Sequence, residues 1–235
     1  VLVGTDSDSC QLRMLGGRMG SEEYIRALTT GDKSKGTDLH SLTKKIGDIE
    51  SRDIAKNVMY CLLFGGGDVK LGKTAKQPGN GKQLRDKLYN GFDGLAELME
   101  KLTQEWKATA KQRYNNKFNR MEYYDGTITG LDGRPIKVPS EHQLLVYLLQ
   151  SDEAITMSKA YNLMVERLSA KYTYGVDFGV VGYFHDEVNV ECREEIAEDV
   201  KSITEQCIVD AGIFYGIKCP NVGDGKIGKS WYEEH

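Results

Sequence analysis

A chain of 235 residues, 40% hydrophobic and 28% charged, can bury one sizeable core or two closely packed ones, and its composition is that of an ordinary globular protein. It has no apolar run near the roughly 18 residues of a membrane span, no signal-peptide pattern at its start, and no C-x-x-C spacing among Cys10, Cys61, Cys192, Cys207 and Cys219. A membrane protein, a disulfide scaffold and a zinc module are therefore disfavoured, and a reducing compartment is expected. The net charge of -4 argues against a basic nucleic-acid binder, but residues 31–137 carry 20 Lys+Arg against 14 Asp+Glu while residues 138–235 carry 8 against 17, so the middle is basic and the end acidic.

The apolar run Val1-Leu2-Val3-Gly4-Thr5 reads as a strand ending on Asp6. Ser7-Asp8-Ser9 then offers caps for a helix carrying Leu12, Met14 and Leu15, and Asp8 is read as a capping residue in preference to one that approaches a metal. Strand-to-helix junctions are where α/β proteins tend to hold ligands, which makes Asp6 a candidate site residue. A start on Val, already inside a strand, predicts the C-terminal part of a larger protein.

Helical patterns follow at 22–30, at 38–47 behind Thr37-Asp38, and at 51–64 behind Ser51, where Gly65-Gly66-Gly67 stops the helix. In the last of these Arg52, Lys56 and Tyr60 recur every four residues and share one face. Two cations one turn apart can meet different phosphates of a triphosphate, and the aromatic can lie on a base or sugar. The plain alternative is a solvated cationic face.

Lys73 to Gly81 reads as an exposed loop, and about 82–120 as helical, with Leu84, Leu88, Leu95, Leu98, Leu102 and Trp106 near core spacing. Its other face is basic, and Tyr114, Phe118, Tyr123 and Tyr124 are interleaved with the cations. Such a face suits nucleic acid, or equally an amphipathic helix with snorkelling lysines. Residues 126–138 read as a hairpin turning at Asp132-Gly133, and 141–170 as a long helix, with His142 on its surface. His185-Asp186-Glu187 interrupts an apolar stretch and predicts a tight hairpin whose tip tolerates left-handed backbone. A tip on a rigid support suits a catalytic carboxylate, or only a turn. A helix near 194–211 and a Gly-rich tail complete the chain.

Two separated carboxylates, with a cationic helix between them in sequence, are what metal-assisted chemistry on a polyphosphate requires. The order of these motifs resembles the polymerase portion of the family A DNA polymerases, bacterial DNA polymerase I and particularly its phage replicative relatives, over essentially the full length. Asp6-Ser7-Asp8-Ser9-Cys10-Gln11-Leu12-Arg13 is similar to their motif A, Arg52-x-x-x-Lys56-x-x-x-Tyr60-x-x-x-Phe64-Gly65 to motif B, and His185-Asp186-Glu187 to motif C. Asp38-Leu39-His40, Gly133-Arg134, Leu148-Leu149-Gln150-Ser151 and the terminal His235 resemble lesser signatures in the same order.

The resemblance implies an α/β (α+β) architecture: a polymerase palm with an antiparallel sheet, built from residues 1–15 and 141–235, and a mainly helical fingers insertion at 16–140. Thumb and exonuclease are absent from this chain and are expected on an N-terminal polypeptide, either a separate partner or a part removed. The implied reaction is template-directed DNA synthesis, transferring a nucleotidyl group from a dNTP to a primer 3′-hydroxyl, in the cytoplasm of a host cell and with no membrane partner. Asp6 and Asp186 would hold two Mg²⁺ ions. Gln11, His40, Arg52, Lys56 and Tyr60 would bind the dNTP, with Lys56 also a proton donor and so catalytic beside the two aspartates. Phe64, Arg134, Gln150 and His185 would contact primer-template DNA, and Glu187 would stand behind the metal ligands.

Four positions depart from the family pattern. Gln11 stands where a Glu that blocks the ribose 2′-hydroxyl is usual; the two are nearly isosteric, so deoxy selectivity should survive with altered electrostatics. Cys61 replaces a usual Gly, Phe64 a usual Tyr, and Val146 a common Asn. Two rivals remain open: a single-subunit RNA polymerase, disfavoured by Glu187 and the bulky Gln11, and a non-catalytic nucleic-acid-binding subunit, disfavoured by retention of both aspartates.

Overall fold

The structure, a computed structural model, describes residues 1–234, so His235 lies outside the described residues. In chain order, β1 (Leu2–Ser7) leads into α1 (Cys10–Met19), α2 (Glu22–Thr29), α3 (Leu39–Gly47), α4 (Arg52–Leu63), α5 (Asp68–Thr74), α6 (Gly81–Gly91) and α7 (Leu95–Thr109). Two hairpins follow, β2 (Lys111–Asn115) with β3 (Arg120–Tyr124) and β4 (Gly126–Thr129) with β5 (Pro135–Val138). The long α8 (Leu144–Ser169), β6 (Phe178–Phe184), β7 (Glu187–Cys192), α9 (Ala197–Phe214), β8 (Gly223–Gly228) and α10 (Trp231–Glu234) complete it. The chain divides into a sheet unit, Val1–Met14 with Asp152–His235, and a helical unit, Leu15–Ser151, the boundaries falling inside α1 and α8.

In the sheet unit the strands are antiparallel in the order β6-β7-β1-β8. Alternation along β1 sends Val3, Thr5 and Ser7 inward, where all three are buried. Thr5 Oγ1 meets Thr204 Oγ1 of α9 at 2.7 Å, and Val3, Val188 and Val190 pack in one core with Met157 and Met164 of α8 and Val200 and Ile208 of α9. Each fully buried Val or Ile of this kind contributes roughly 1.5–3 kcal/mol. The Gly-rich tail, read from sequence as irregular, is the edge strand β8. Its glycines are required by close approach: a Cβ on Gly223 would stand 2.7 Å from Cα of Glu205 in α9.

In the helical unit the expected caps are in place. The Ser51 side chain accepts from Ile54 N–H at 3.3 Å, the Asp38 side chain accepts from Ser41 N–H at 3.3 Å, and Gly65 at φ +70 turns the chain out of α4. Trp106 is buried with Leu102, Ile128, Val138, Leu144 and Leu148, and its Nε1–H donates to the Val138 carbonyl at 2.8 Å. Part of the expected 73–81 loop is the end of α5.

The expected helix through residue 120 ends instead at Thr109, and residues 111–124 form the β2–β3 hairpin. Ala110 is extended, at φ -69 and ψ 142. The Asn115 side chain accepts from the N–H groups of Lys117 and Phe118, and Asn119 is left-handed at φ 49. Such side-chain-to-backbone bonds compete with helix and favour a turn. Among the described residues, no helix is long and apolar enough to cross a membrane.

Candidate active site

Strand register places the carboxylates of the sheet unit. Asp6, near the end of β1, pairs with Glu187 of β7 on one side and Asp224 of β8 on the other. The β6–β7 turn holds Asp186 beside them, since Ser7 N–H donates to the Asp186 carbonyl at 2.9 Å. His185 takes the left-handed conformation that closes the turn, at φ 54. Glu187 accepts from Nδ2 of the buried Asn189 at 2.6 Å.

Crowding shows in the titration of these groups. Partial burial, then the charges of Asp186, Glu187, Asp8 and Asp224, push Asp6 up to about 6. Burial, followed by the Glu187 charge, also raises Asp186, against its own backbone N–H and the His185 charge. Asp8 does not cap α1. It pairs with Arg13 at 2.6 Å, and Arg13 also donates to the Pro220 carbonyl at 2.7 Å, tying the start of α1 to the loop before β8.

Two adjacent carboxylates, the charge of Asp186 raising the pKa of Asp6, form a donor set a cation would relax. Among the described residues no cluster of three or more His, Cys, Asp or Glu side chains forms a cage. Hard oxygen donors in that small number suit Mg²⁺, which is commonly bound by one or two carboxylates together with water and phosphate oxygens.

Gln11, on the first turn of α1, hydrogen-bonds Glu153 of α8, a carboxylate only 7% exposed. Burial raises the Glu153 pKa first, the Gln11 bond opposes it, and Asp186 adds to it. The buried Cys10 thiol is pushed up by burial and by the fields of Glu153, Asp186 and Asp6, which places all three around the start of α1. Sequence reading missed Glu153. Its signal was the Asp152-Glu153 pair inside the apolar run of α8.

In the helical unit, α4 buries Ala55, Val58, Met59, Leu62 and Leu63 and turns Arg52, Lys56 and Tyr60 outward, with Phe64 at its end. Tyr60 and Phe64 are stacked at 6.2 Å between centroids, and His40 of α3 lies 6.3 Å from Tyr60. Arg52 is already engaged: its Nη2 is 2.6 Å from Asp38 Oδ2 and its Nε 2.8 Å. Asp38 at the same time caps α3 through Ser41 N–H and the Ser41 hydroxyl. Burial raises its carboxyl, but the bonds from Arg52 and Ser41 and the guanidinium charge outweigh it and bring it down to about 2. Burial, then the Arg52 and Lys56 charges, lowers His40 against the opposing Asp38, so the ring is neutral near pH 7. Its Nδ1 is buried without a hydrogen-bond partner among the described residues.

Four expected residues thus converge on one face of this unit: His40, Arg52, Lys56 and Tyr60, with Phe64 beside them. Arg134 lies in the β4–β5 turn and is bonded by Asp132 at 2.6 Å, while Gln150 is exposed on α8.

The model of DNA polymerase family A matches residues 1–233. The chain is 30% identical over 250 residues to a DNA-directed DNA polymerase of Enterobacteria phage T3, covering 100% of this chain and 33% of that protein. It is 29% identical to the Escherichia phage T7 enzyme of the same name, at 98% and 33% coverage, and 27% identical to DNA polymerase I of Aquifex aeolicus (strain VF5), at 97% and 39%. The chain therefore spans about a third of the length of the curated relatives it matches. Its fold is that of the POL domain of Pol1 from M. smegmatis, solved in complex with DNA primer-template and dNTP, with a TM-score of 0.76 at 17% identity over 99% of this chain and 40% of that one.

Proposed function

The chain belongs to DNA polymerase family A, and from that premise we propose that it carries the nucleotidyl-transfer chemistry of template-directed DNA synthesis, from dNTP to a primer 3′-hydroxyl. The observation that carries this is the crowded pair Asp6 and Asp186 on adjoining strand ends of one sheet. In this reading the pair holds two Mg²⁺ ions, which would lower the pKa of the primer hydroxyl and neutralise charge on the leaving pyrophosphate.

The remaining roles are those the family resemblance implies, and the side-chain chemistry is compatible with them. Arg52, oriented by Asp38, presents a fixed guanidinium to phosphate oxygens, and neutral His40 adds an unused ring nitrogen. Lys56 neutralises phosphate and donates a proton to the pyrophosphate oxygen as the bond to the α-phosphorus breaks. Tyr60, stacked on Phe64, lies against the nucleotide sugar. Gln11, held by Glu153, fills the space a ribose 2′-hydroxyl would need. Phe64, Arg134, Gln150 and His185 bind primer-template DNA.

Primer extension with the purified chain, primer-template, dNTPs and Mg²⁺ tests the proposal. Asp186→Ala should lower single-nucleotide insertion by about 10³-fold or more while leaving the fold intact by circular dichroism. Undiminished insertion would remove the catalytic centre from this chain, and preference for rNTPs would make it an RNA polymerase.

A further inference from the structure

None of the roles above uses the β2–β3 hairpin. Alternation sorts its side chains onto two faces. Lys111, Arg113 and Asn115 stand opposite Tyr124, Glu122 and Arg120 on one face, and Gln112 and Tyr114 stand opposite Tyr123 and Met121 on the other. The first face is cationic. The second is apolar and open to solvent, with Tyr114 54%, Met121 50% and Tyr123 39% exposed, and Phe118 in the turn is 57% exposed. A two-stranded ribbon gains little by itself from such side chains, and a contiguous exposed apolar group marks an interaction surface.

Charge identifies the occupant. Residues 107–125 hold five Lys or Arg and two carboxylates, a net of +3. Glu122 is shared by Arg113 and Arg120 at 3.7 Å each, so it neutralises at most one of them, while Lys111 pairs with Asp125 at 3.5 Å and Lys107 with Glu141 at 3.6 Å, both at the exposed surface where such pairs exchange readily for phosphate. The cations ride beside the rings: Lys107 lies 5.9 Å from the Tyr123 centroid, Arg113 5.2 Å from Tyr124, and Lys117 and Arg120 5.4 and 5.5 Å from Phe118.

We infer that this hairpin binds single-stranded nucleic acid, its bases stacking on Tyr114, Tyr123 and Phe118 and its phosphates meeting Lys107, Lys117 and Arg120, the cations that lie beside Tyr123 and Phe118. Rings with cations at their edges satisfy both halves of an unpaired strand, whatever the base. A duplex keeps its base faces stacked and would leave the tyrosines unused. An acidic protein segment would use the cations but not the rings. That the strand is the unpaired template ahead of the primer rests on the polymerase reading; the binding does not.

Fluorescence anisotropy with labelled oligothymidylate, using the whole chain carrying Asp186→Ala, tests the inference. Replacing both Tyr114→Ala and Tyr123→Ala should weaken binding about tenfold or more. Replacing Lys117→Gln and Arg120→Gln should weaken it and flatten the salt dependence by about one in the log–log slope. Unchanged affinity in either variant overturns the proposal, provided circular dichroism shows the fold retained. A poly-glutamate peptide that competes equally before and after the tyrosine substitutions also overturns it, reassigning the face to an acidic protein. Primer extension on a template with a one-nucleotide overhang separates the two readings. If the parent extends nothing yet binds oligothymidylate through the tyrosines, the polymerase reading fails and the ribbon stands.

Discussion

At the strand ends of the sheet unit, Asp6 faces Glu187 on one side and Asp224 on the other, with Asp186 beside it, and its carboxyl is pushed up to about 6. On the helical unit, Arg52 lies 2.6 Å from Asp38, whose carboxyl is brought down to about 2. One region crowds like charges that water alone must screen; the other satisfies its charge internally before any ligand arrives. The first is built to gain from a cation. The second holds a guanidinium in a fixed orientation, so that less conformational entropy is lost when phosphate binds.

The largest effect expected concerns Lys56, the second cation on the face that carries Arg52. Lys56→Ala should lower the insertion rate by about 10²-fold or more with a small change in KM, as loss of a proton donor does. A change in KM alone would make Lys56 a binding charge only. Stability tests the pair itself. Asp38→Asn should cost about 2 kcal/mol in urea unfolding at neutral pH, because a depressed carboxyl pKa is stability present above the unfolded value of about 3.9. That contribution is lost as pH falls from about 4 towards 2, so parent and variant should converge in acid. A constant difference down to low pH would mean that the cap, not the ion pair, is being measured.

In the sheet region the same kind of change should have the opposite sign. Asp6→Asn removes like-charge crowding and should stabilise the metal-free chain by about 1 kcal/mol once solvent screening is allowed for. That corresponds to about 2–4 °C in Tm for a chain this size. Mg²⁺ should raise Tm in the parent and not in the variant. A lower Tm in the variant without Mg²⁺ would break the contrast between the regions. The smallest effect concerns Gln11. Glu153→Ala, which frees the Gln11 amide, should raise ribonucleotide incorporation about fivefold, the worth of one hydrogen bond, and Gln11→Ala should raise it further. Unchanged discrimination in single-nucleotide insertion would leave Glu153 without a part in sugar selection.

Much of this was legible in the residues themselves. Ser51 and Asp38 announced helix starts, Asp132-Gly133 and His185-Asp186 announced tight turns, and the four-residue spacing of Arg52, Lys56 and Tyr60 announced a shared face. The hairpin at 111–124 was not, because Leu102, Trp106, Lys107 and Lys111 carry helical spacing into it and the breaking signal is only the asparagines of its turn. Nor was β8, whose glycines read as loop until α9 is seen pressing on them. Glu153 was hidden by its helix, where an acid in an apolar run has no partner within the sequence around it.

By itself the sequence determined the local elements and the chemistry they could carry, since caps, turns and periodicity act between residues a few positions apart. Only the tertiary structure decided which charges meet. Asp6 and Asp186 are joined by strand pairing across most of the chain, Arg52 is claimed by a carboxylate on a different helix, and Gln11 is claimed by one on α8. Such pairings depend on sheet register and burial, whose energies are set by distant segments and leave no trace in the immediate sequence.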